Sequence, residues 1–511
     1  MIAKWYKLQS GTDIRGIATE GSKNEVNLTP KVAKFIAYGF VKWLRNEKKV
    51  NFKDLKVAVG IDSRLSGPEL KSSFIDALSD LGCNVYDCGM CTTPAMFMTT
   101  IFQNYECDAS IMITASHLPY YYNGFKFFTR EGGCEKDDIK NILSIASEEK
   151  SHFCIKKGEI FKINFIEEYS KDLVLTIRKG VASSQNYDKP LLGFKLNVDA
   201  GNGAGGFFAD KVLKVLGADI TGSQFTQPDG RFPNHIPNPE DKKAMESISQ
   251  SVLTNHADLG IIFDTDVDRA AIVDSNGMQI NKNALIALVS AIVLEEHPKT
   301  VIVTDSVTST GLSEFISRLG GIHHRFKRGY RNVIDEAIRL NSEGKECYLA
   351  IETSGHAALK EKYFLDDGAY LIAKILIKMA KLNLKGKKLQ DLIKDLKIPC
   401  ESLDSRLTIK NNNSKKYGTL AIKGLEKYVK KIDGWSLVPN NYEGIKVHCD
   451  ELNGDGWFLL RLSLHEPVLS LNMESDSNGG IKTTIGKLMP FFNKYNELDT
   501  NIIKTLKYSC L

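Results

Sequence analysis

The chain has 511 residues, 42% hydrophobic and 25% charged, with 67 Lys and Arg against 62 Asp and Glu for a net charge of +5. That length exceeds one ordinary core and predicts three or four domains, and the composition excludes a disordered or fibrous chain. That net charge neither demands nor excludes an anionic partner, no Lys/Arg block suggests nucleic acid, and no run reaches the roughly 18 apolar residues of a membrane span. The start, Met1-Ile-Ala-Lys-Trp-Tyr-Lys7, lacks the apolar core of a signal segment, so a cytoplasmic location is expected. Ten cysteines without paired metal-ligand spacing are expected as reduced thiols.

In chain order, Ser10-Gly-Thr-Asp-Ile-Arg-Gly16 reads as a compact turn. From it the Arg15 guanidinium can grip a phosphate with two parallel hydrogen bonds, or pair with a carboxylate. Lys56–Ile61 is a predicted parallel strand, Asp62–Gly67 its loop, Pro68–Leu81 an amphipathic helix and Asn84–Asp87 a second strand. That order is a βαβ unit with a right-handed crossover. Cys88-Gly-Met-Cys91 matches Cys-x-x-Cys, but Thr92-Thr93-Pro94 follows where a redox motif wants a helix, so a structural turn is expected.

Ala109–Ile113 reads as a buried strand leading into Thr114-Ala-Ser-His-Leu-Pro-Tyr-Tyr-Tyr-Asn-Gly-Phe-Lys126, with turns expected at Pro119 and at Asn123-Gly124. Ser116 then stands in a loop beside His117, with Lys126 closing it, a setting that can activate a hydroxyl. The absence of a Gly-x-Ser-x-Gly elbow argues against acyl transfer, and a Ser-His pair can also be a turn held by its own hydrogen bonds. Downstream, Phe263-Asp-Thr-Asp-Val-Asp-Arg269 carries Asp264, Asp266 and Asp268 at alternate positions between two apolar runs. Alternation would set the three carboxylates on one side of an extended segment, a hard-oxygen cluster suited to Mg2+; a solvated acidic turn is the other reading. An EF-hand loop would need Gly and Glu where the chain has Arg269 and Ser275. A phosphorylated Ser116 would bring about two negative charges to such a cation and make the serine and the metal one site.

The strand, turn and helix grammar returns at Lys195–Asp199, with a helix to about Leu216, and at Thr300–Asp305, with a helix to about Leu319. Each strand ends in Asp before small residues (Asp62, Asp199, Asp305), which predicts three related α/β domains in series. Gly201, Gly203 and Gly206 satisfy Gly-x-Gly-x-x-Gly by count, with only Asp219 available as the ribose-binding acid. The Pro-rich run Pro228–Glu240 reads as a loop bridging domains. Lys327-Arg-Gly-Tyr-Arg331 precedes a helix starting near Asn332 and forms a candidate anion site that includes Arg328. Leu349–Ile351 delivers Glu352-Thr-Ser-Gly-His356, whose short polar groups suit a sugar's vicinal hydroxyls. Asp366-Asp367-Gly368 is expected to cap a helix through about Leu382. From about residue 400 a smaller α+β domain with antiparallel strands is predicted, and its Arg461, Ser463 and His465 can donate from one turn to a non-reacting phosphate.

The Thr-Ala-Ser-His-x-Pro…Asn-Gly-Phe-Lys and Asp-x-Asp-x-Asp-Arg loops, with the Pro-Asp-Gly-x-Phe-Pro-Asn-His, Glu-x-Ser-Gly-His and Arg-x-Ser segments, resemble the α-D-phosphohexomutase superfamily, phosphomannomutase/phosphoglucomutase type. These enzymes interconvert hexose 1-phosphates and 6-phosphates, and the resemblance spans nearly the whole chain. It implies an α/β fold of three related domains with mixed sheets, followed by a smaller α+β domain around a central cleft, with domains at 1–185, 186–298, 299–400 and 401–511. It implies Ser116 as the phosphoserine, with Asp264, Asp266 and Asp268 beside it as ligands of Mg2+. Arg15 and Arg269 become phosphate contacts, Glu352 and Ser354 sugar ligands, His356 a neighbour of the reacting centre, and Arg461, Ser463 and His465 the grip on the idle phosphate. Lys126, His117 and His356 are the candidates for the acid/base work, and the sequence does not rank them. Hexose 1,6-bisphosphate enters as intermediate and activator, and the Gly-rich turn recurs in the family without NAD. The Glu-x-Ser-Gly-His loop leaves glucose, mannose and glucosamine open as the sugar. Leu118 stands where the family has Asn, and Leu464-His465 where it has a small residue and Thr. These departures keep a non-catalytic sugar-phosphate binder as an alternative, beside phosphoglucosamine mutase, which the Glu-x-Ser-Gly-His loop leaves open, and a phosphatase of serine-plus-metal type. Sugar phosphates are the expected partners of a monomer or dimer.

Overall fold

The computed structural model describes residues 2–49, 55–148, 156–463 and 466–503. Two compact units emerge, Met1–Asn281 with Ser354–Asp391, and Lys282–Thr353 with Leu392–Leu511.

In the first unit, Ala109–Ile113 is buried at every position, as a strand covered on both faces must be. It lies in a mixed sheet ordered Gln9–Ser10, Asp13–Ile17, Tyr122–Thr129, Ala109–Ile113, Lys56–Ile61, Asn84–Met90, Ile160–Lys162. Lys56–Ile61 runs parallel to both neighbours, whereas Tyr122–Thr129 is antiparallel to Ala109–Ile113. Helix Pro30–Lys48 starts where Thr29 accepts a hydrogen bond from the Val32 amide and Pro30 supplies the first turn. With helix Gly67–Asp80 it covers a core containing Phe40, Phe74, Phe125 and Phe127, each buried ring worth about 1.5–3 kcal/mol.

One expected turn is absent. Asn123 and Gly124 lie inside strand Tyr122–Thr129, because a Cβ on Gly124 would sit 2.2 Å from the Ile14 carbonyl oxygen. The glycine is required by close strand approach, not by a reversal of the chain. The chain also continues helically after Cys91: Thr93–Met98 is a short helix capped by Thr92, with Pro94 in its first turn, where proline costs nothing.

A second mixed sheet in this unit runs Gln279–Ile280, Ala270–Asp274, Leu259–Phe263, Leu196–Asp199, with only the last two strands parallel. The helix expected to reach Leu216 is instead a 3-10 turn, Ala204–Gly206, and a widened π-helical turn, Phe208–Leu213. The glycines there press on neighbouring backbone, Gly203 on Thr265 and Gly206 on Thr226. Asp367 caps helix Gly368–Asn383 through the Tyr370 amide, as expected.

In the second unit, Ile322–Arg325, Val301–Thr304 and Cys347–Ile351 are parallel, beside helix Lys282–Glu296, which is buried from Leu285 to Leu294. The C-terminal sheet runs Glu401–Thr408, Val468–Ser475, Gly456–Leu462, Ile445–Cys449, Trp435–Leu437 and is antiparallel throughout. Helices Ser414–Val429 and Gly480–Phe492 share its apolar core, whereas Lys446, Trp457, Arg461 and Glu474 occupy alternate strand positions on the opposite face. The fold class is as expected from the sequence: three α/β domains with mixed sheets and a smaller antiparallel C-terminal domain. Among the described residues no helix is long and apolar enough to cross a membrane.

Candidate active site

Buried strand Ala109–Ile113 ends at Thr114, whose hydroxyl donates to Asp62 Oδ2 at 2.6 Å and accepts from the Ser116 amide at 2.9 Å. Ser116 is thereby held with φ of 50°, in the left-handed region. Its Oγ is 3.0 Å from Asp264 Oδ2, 2.9 Å from Arg269 NH2 and 3.3 Å from His117 Nδ1. Serine and aspartate, far apart in sequence, meet at hydrogen-bond distance.

The three aspartates converge between strands Leu259–Phe263 and Ala270–Asp274, but not by strand alternation. Residues 264–268 form a tight turn with Val267 at φ 65°, and the turn gathers one oxygen of each carboxylate within 4.8 Å of the others. Gly203 packs on Thr265, whose carbonyl accepts from the Ala204 amide at 2.8 Å. That contact accounts for the Gly-rich turn as a support for the acidic loop.

All three carboxylates are buried and face two cations. Lys126 Nζ is 3.1 Å from Asp266 Oδ2 and also pairs with Asp268 Oδ2, and Arg269 Nε is 3.1 Å from Asp264 Oδ2. Burial, then Asp268 and Asp266, push the Asp264 carboxyl well up; burial acts likewise on Asp268, but Lys126, His356 and Arg269 override it and hold that carboxyl well down. Asp266 Oδ1 and Asp268 Oδ1 are buried and accept no hydrogen bond among the described residues. An all-oxygen donor set with unused carboxylate oxygens fits Mg2+.

His117 is neutral. Its Nδ1 accepts from Arg269 NH2, and burial, then Arg269 and Arg15, push its pKa down to about 2. Arg15 pairs with Asp13 at 2.9 Å, and its strand lies beside the strand that carries Lys126. His356 reaches the acidic loop from another segment: its Nε2 is 3.6 Å from Asp268 Oδ1 and its Nδ1 is 2.8 Å from Ser354 Oγ. Gly355, at φ 95°, permits this, since a Cβ there would sit 2.8 Å from the Ala270 carbonyl oxygen. The first unit thus brings together Ser116, His117, Lys126, Arg269, Asp264, Asp266, Asp268, Ser354 and His356.

The second unit holds the remaining candidates. The Gly329 amide, at the start of helix Tyr330–Ser342, donates to Glu352 Oε1 at 2.6 Å, so the helix N-terminus already receives a carboxylate. Glu443 joins two candidate segments: its Oε2 accepts from the Arg328 amide at 3.1 Å and from Ser306 Oγ at 2.6 Å, and its Oε1 lies 3.4 Å from Arg461 NH1. Ser463 Oγ accepts from the Glu466 amide at 3.2 Å. Leu464 and His465 lie outside the described residues.

Four residues at these sites are missing from the sequence expectations. Thr93 Oγ1 donates to Asp266 Oδ2 at 2.5 Å, so the start of helix Thr93–Met98 delivers a hydroxyl to the acidic loop. Arg64 and Asp62 lie under the Ser116 loop, and Asn238 Oδ1 accepts from Arg269 NH1 at 3.3 Å. The signal available for two of them was a strand-end Asp-Ser-Arg in the same grammar as Asp199 and Asp305. Cys88 and Cys91 are buried free thiols, Cys91 pushed up to about 12 by burial, unlike the exposed low-pKa thiol of a redox pair.

Three family models match in series: phosphoglucomutase/phosphomannomutase α/β/α domain I over residues 7–153, domain II over 168–277 and domain III over 281–398. A phosphomannomutase/phosphoglucomutase from Pseudomonas syringae pv. tomato is 29% identical over 93% of this chain and 92% of its own. A phosphoglucomutase/phosphomannomutase from Thermococcus kodakarensis is 30% identical over 92% of this chain and 95% of its own. Among solved structures, a phosphoglucomutase/phosphomannomutase family protein from Burkholderia thailandensis superposes with a TM-score of 0.78 at 26% identity, covering 97% of this chain and 98% of that one.

Proposed function

Because this chain belongs to the phosphoglucomutase/phosphomannomutase family, an intramolecular phosphotransferase family of the isomerase class, we propose that it interconverts hexose 1-phosphate and hexose 6-phosphate, glucose and/or mannose, through a phosphorylated Ser116. The observation that carries the reading is the position of Ser116 Oγ, 3.0 Å from Asp264 and 2.9 Å from Arg269, at a buried cluster of three carboxylates. A phosphoryl group on that oxygen would lie against Arg269 on one side and the aspartates on the other, and three carboxylates facing a phosphate need a cation between them. Asp264, Asp266 and Asp268 would hold Mg2+ with a phospho-Ser116 oxygen, and the ion would supply charge neutralisation at the moving group.

In the forward half-reaction the bond from phosphorus to Ser116 Oγ breaks and one to a sugar hydroxyl oxygen forms; the hydroxyl loses a proton and Oγ regains one. Arg269 stabilises charge on the moving group. Lys126 is the group with a proton to exchange, since its ammonium stands between Asp266 and Asp268, whereas His117 Nδ1 is already occupied as an acceptor. The bisphosphate then reorients and returns its other phosphate to Ser116. Glu352 and Ser354 would bind the sugar hydroxyls and Arg15 the reacting phosphate, with His356 at the reacting centre. Arg461 and Ser463, together with Arg328 and His465, would hold the idle phosphate. The reading carries with it activation by hexose 1,6-bisphosphate, a cytoplasmic location and the division at residues 185, 298 and 400.

The test is incubation with glucose 1-phosphate, Mg2+ and a trace of glucose 1,6-bisphosphate, with glucose 6-phosphate and free phosphate both measured. Formation of glucose 6-phosphate without equivalent phosphate release is expected; release of phosphate alone indicates a phosphatase, and no turnover with glucose or mannose phosphates ends the proposal. Glucosamine phosphates in the same assay complete the sugar specificity.

A further inference from the structure

Resting on the reading of Ser116 as phosphoryl carrier, we propose that Arg64 is a positioning residue that clamps the backbone of the Ser116 loop, with Phe232 of the Pro-rich segment backing it.

Arg64 is almost completely buried, yet its guanidinium contacts no reacting group. It donates to four carbonyls of a single loop: NH2 to Ser116 and to Leu118 at 2.6 Å, NH1 to Pro119 at 2.9 Å and to Tyr122 at 2.9 Å. Asp62 Oδ2 forms an ion pair with Arg64 Nε at 3.2 Å, and the same carboxylate receives the Thr114 hydroxyl that holds the Ser116 amide. Ser116 is therefore bound through both its N–H and its C=O, which keeps a non-glycine residue in left-handed backbone at a cost of about 1–2 kcal/mol. Five donors in one plane make such a clamp; the ammonium of lysine, a point with three donors, does not.

The Pro-rich segment completes the arrangement. The Phe232 ring centroid lies 5.2 Å from the Arg64 guanidinium carbon, and Gly230 is so close that a Cβ would fall 2.4 Å from the Ser63 carbonyl oxygen. Farther along the same segment, Asn238 Oδ1 accepts from Arg269 NH1 at 3.3 Å and Glu240 Oε2 lies 3.8 Å from it. One loop thus backs both arginines, Arg64 on the carbonyl side of Ser116 and Arg269 on the hydroxyl side.

The test is steady-state mutase kinetics on full-length R64K and F232A beside wild type and S116A, with folding checked by thermal unfolding. R64K keeps the charge opposite Asp62 but loses the fork; kcat is expected to fall about 100-fold, the effect of a misplacement near 1 Å, with KM for the sugar phosphate within about two-fold of wild type. F232A is expected to lower kcat several-fold at unchanged KM. A folded R64K with kcat within about three-fold of wild type, or a loss carried by KM alone, overturns the proposal. If R64K does not fold, F232A decides, and an unchanged kcat overturns it. An inactive wild type or an active S116A removes the mutase reading and this proposal with it, whereas an active wild type with an unaffected R64K removes the clamp alone.

Discussion

Ser116 is a hydroxyl without intrinsic reactivity, and its neighbours define what it can do. Arg269 reaches it from the acidic loop, and Lys126 stands between two of the three aspartates. Lys126→Ala removes both a proton donor and a cation from that cluster, so kcat should fall by about 10²–10⁴-fold, as measured by initial rates at saturating substrate. A variant within a few-fold of wild type would assign the proton transfer elsewhere. The acidic triplet was legible in sequence because its carboxylates stand at alternate positions, and Ser116 because it closely follows an apolar strand. Arg64 and Thr93 were not, since their partners lie 52 and 173 residues away and no local pattern marks an arginine that binds carbonyls.

Elements position these residues through close backbone approach. Strand Tyr122–Thr129 carries Lys126, and it can lie against Asp13–Ile17 only because position 124 has no side chain. Gly124→Ala forces a methyl group onto the Ile14 carbonyl, so a stability loss of about 1–3 kcal/mol and a weakened kcat are expected, read by chemical denaturation and by rate. Wild-type stability in this variant would mean that the strands part without cost. Asn-Gly reads from sequence as a turn because that dipeptide favours one; tertiary crowding overrode the local preference. The same kind of contact explains the glycines at 203 and 206, which satisfy a nucleotide-binding pattern by count yet pack on the backbone of Thr265 and Thr226. The strand-end aspartates were legible as a repeat, and two have equivalent tasks: Asp62 receives the Thr114 hydroxyl and Asp305 the Thr353 hydroxyl, each threonine following a central strand.

Across the molecule, the succession of α/β domains and the antiparallel C-terminal sheet followed from patterning, whereas the polar contacts inside the second unit did not. There Lys446 Nζ lies 3.8 Å from the Trp457 ring centroid and donates to the Ser306 and Thr308 carbonyls, and Trp457 Nε1 donates to Glu474 Oε2 at 2.8 Å. Burial, opposed by Trp457 and Lys446, pushes the Glu474 carboxyl up from 4.5 to about 7. A folded pKa above the unfolded value gives stability that is present below about pH 4.5 and lost as pH rises toward 7, because the unfolded chain releases its proton first. Wild type should therefore weaken relative to E474Q across that window, by at most about 3 kcal/mol, and the difference should level off above it, as followed by urea unfolding at a series of pH values. A difference that does not change with pH would contradict the shift.

In the proposed reaction Ser116 passes a phosphoryl group back and forth with a sugar. The direct measurement is to load the enzyme from glucose 1,6-bisphosphate carrying a phosphorus label, map the labelled residue by mass spectrometry and then add unlabelled glucose 1-phosphate. One labelled phosphoryl group on Ser116 that moves into the sugar phosphate pool is expected; label on another residue, or label that leaves only as inorganic phosphate, would rule out Ser116 as the carrier.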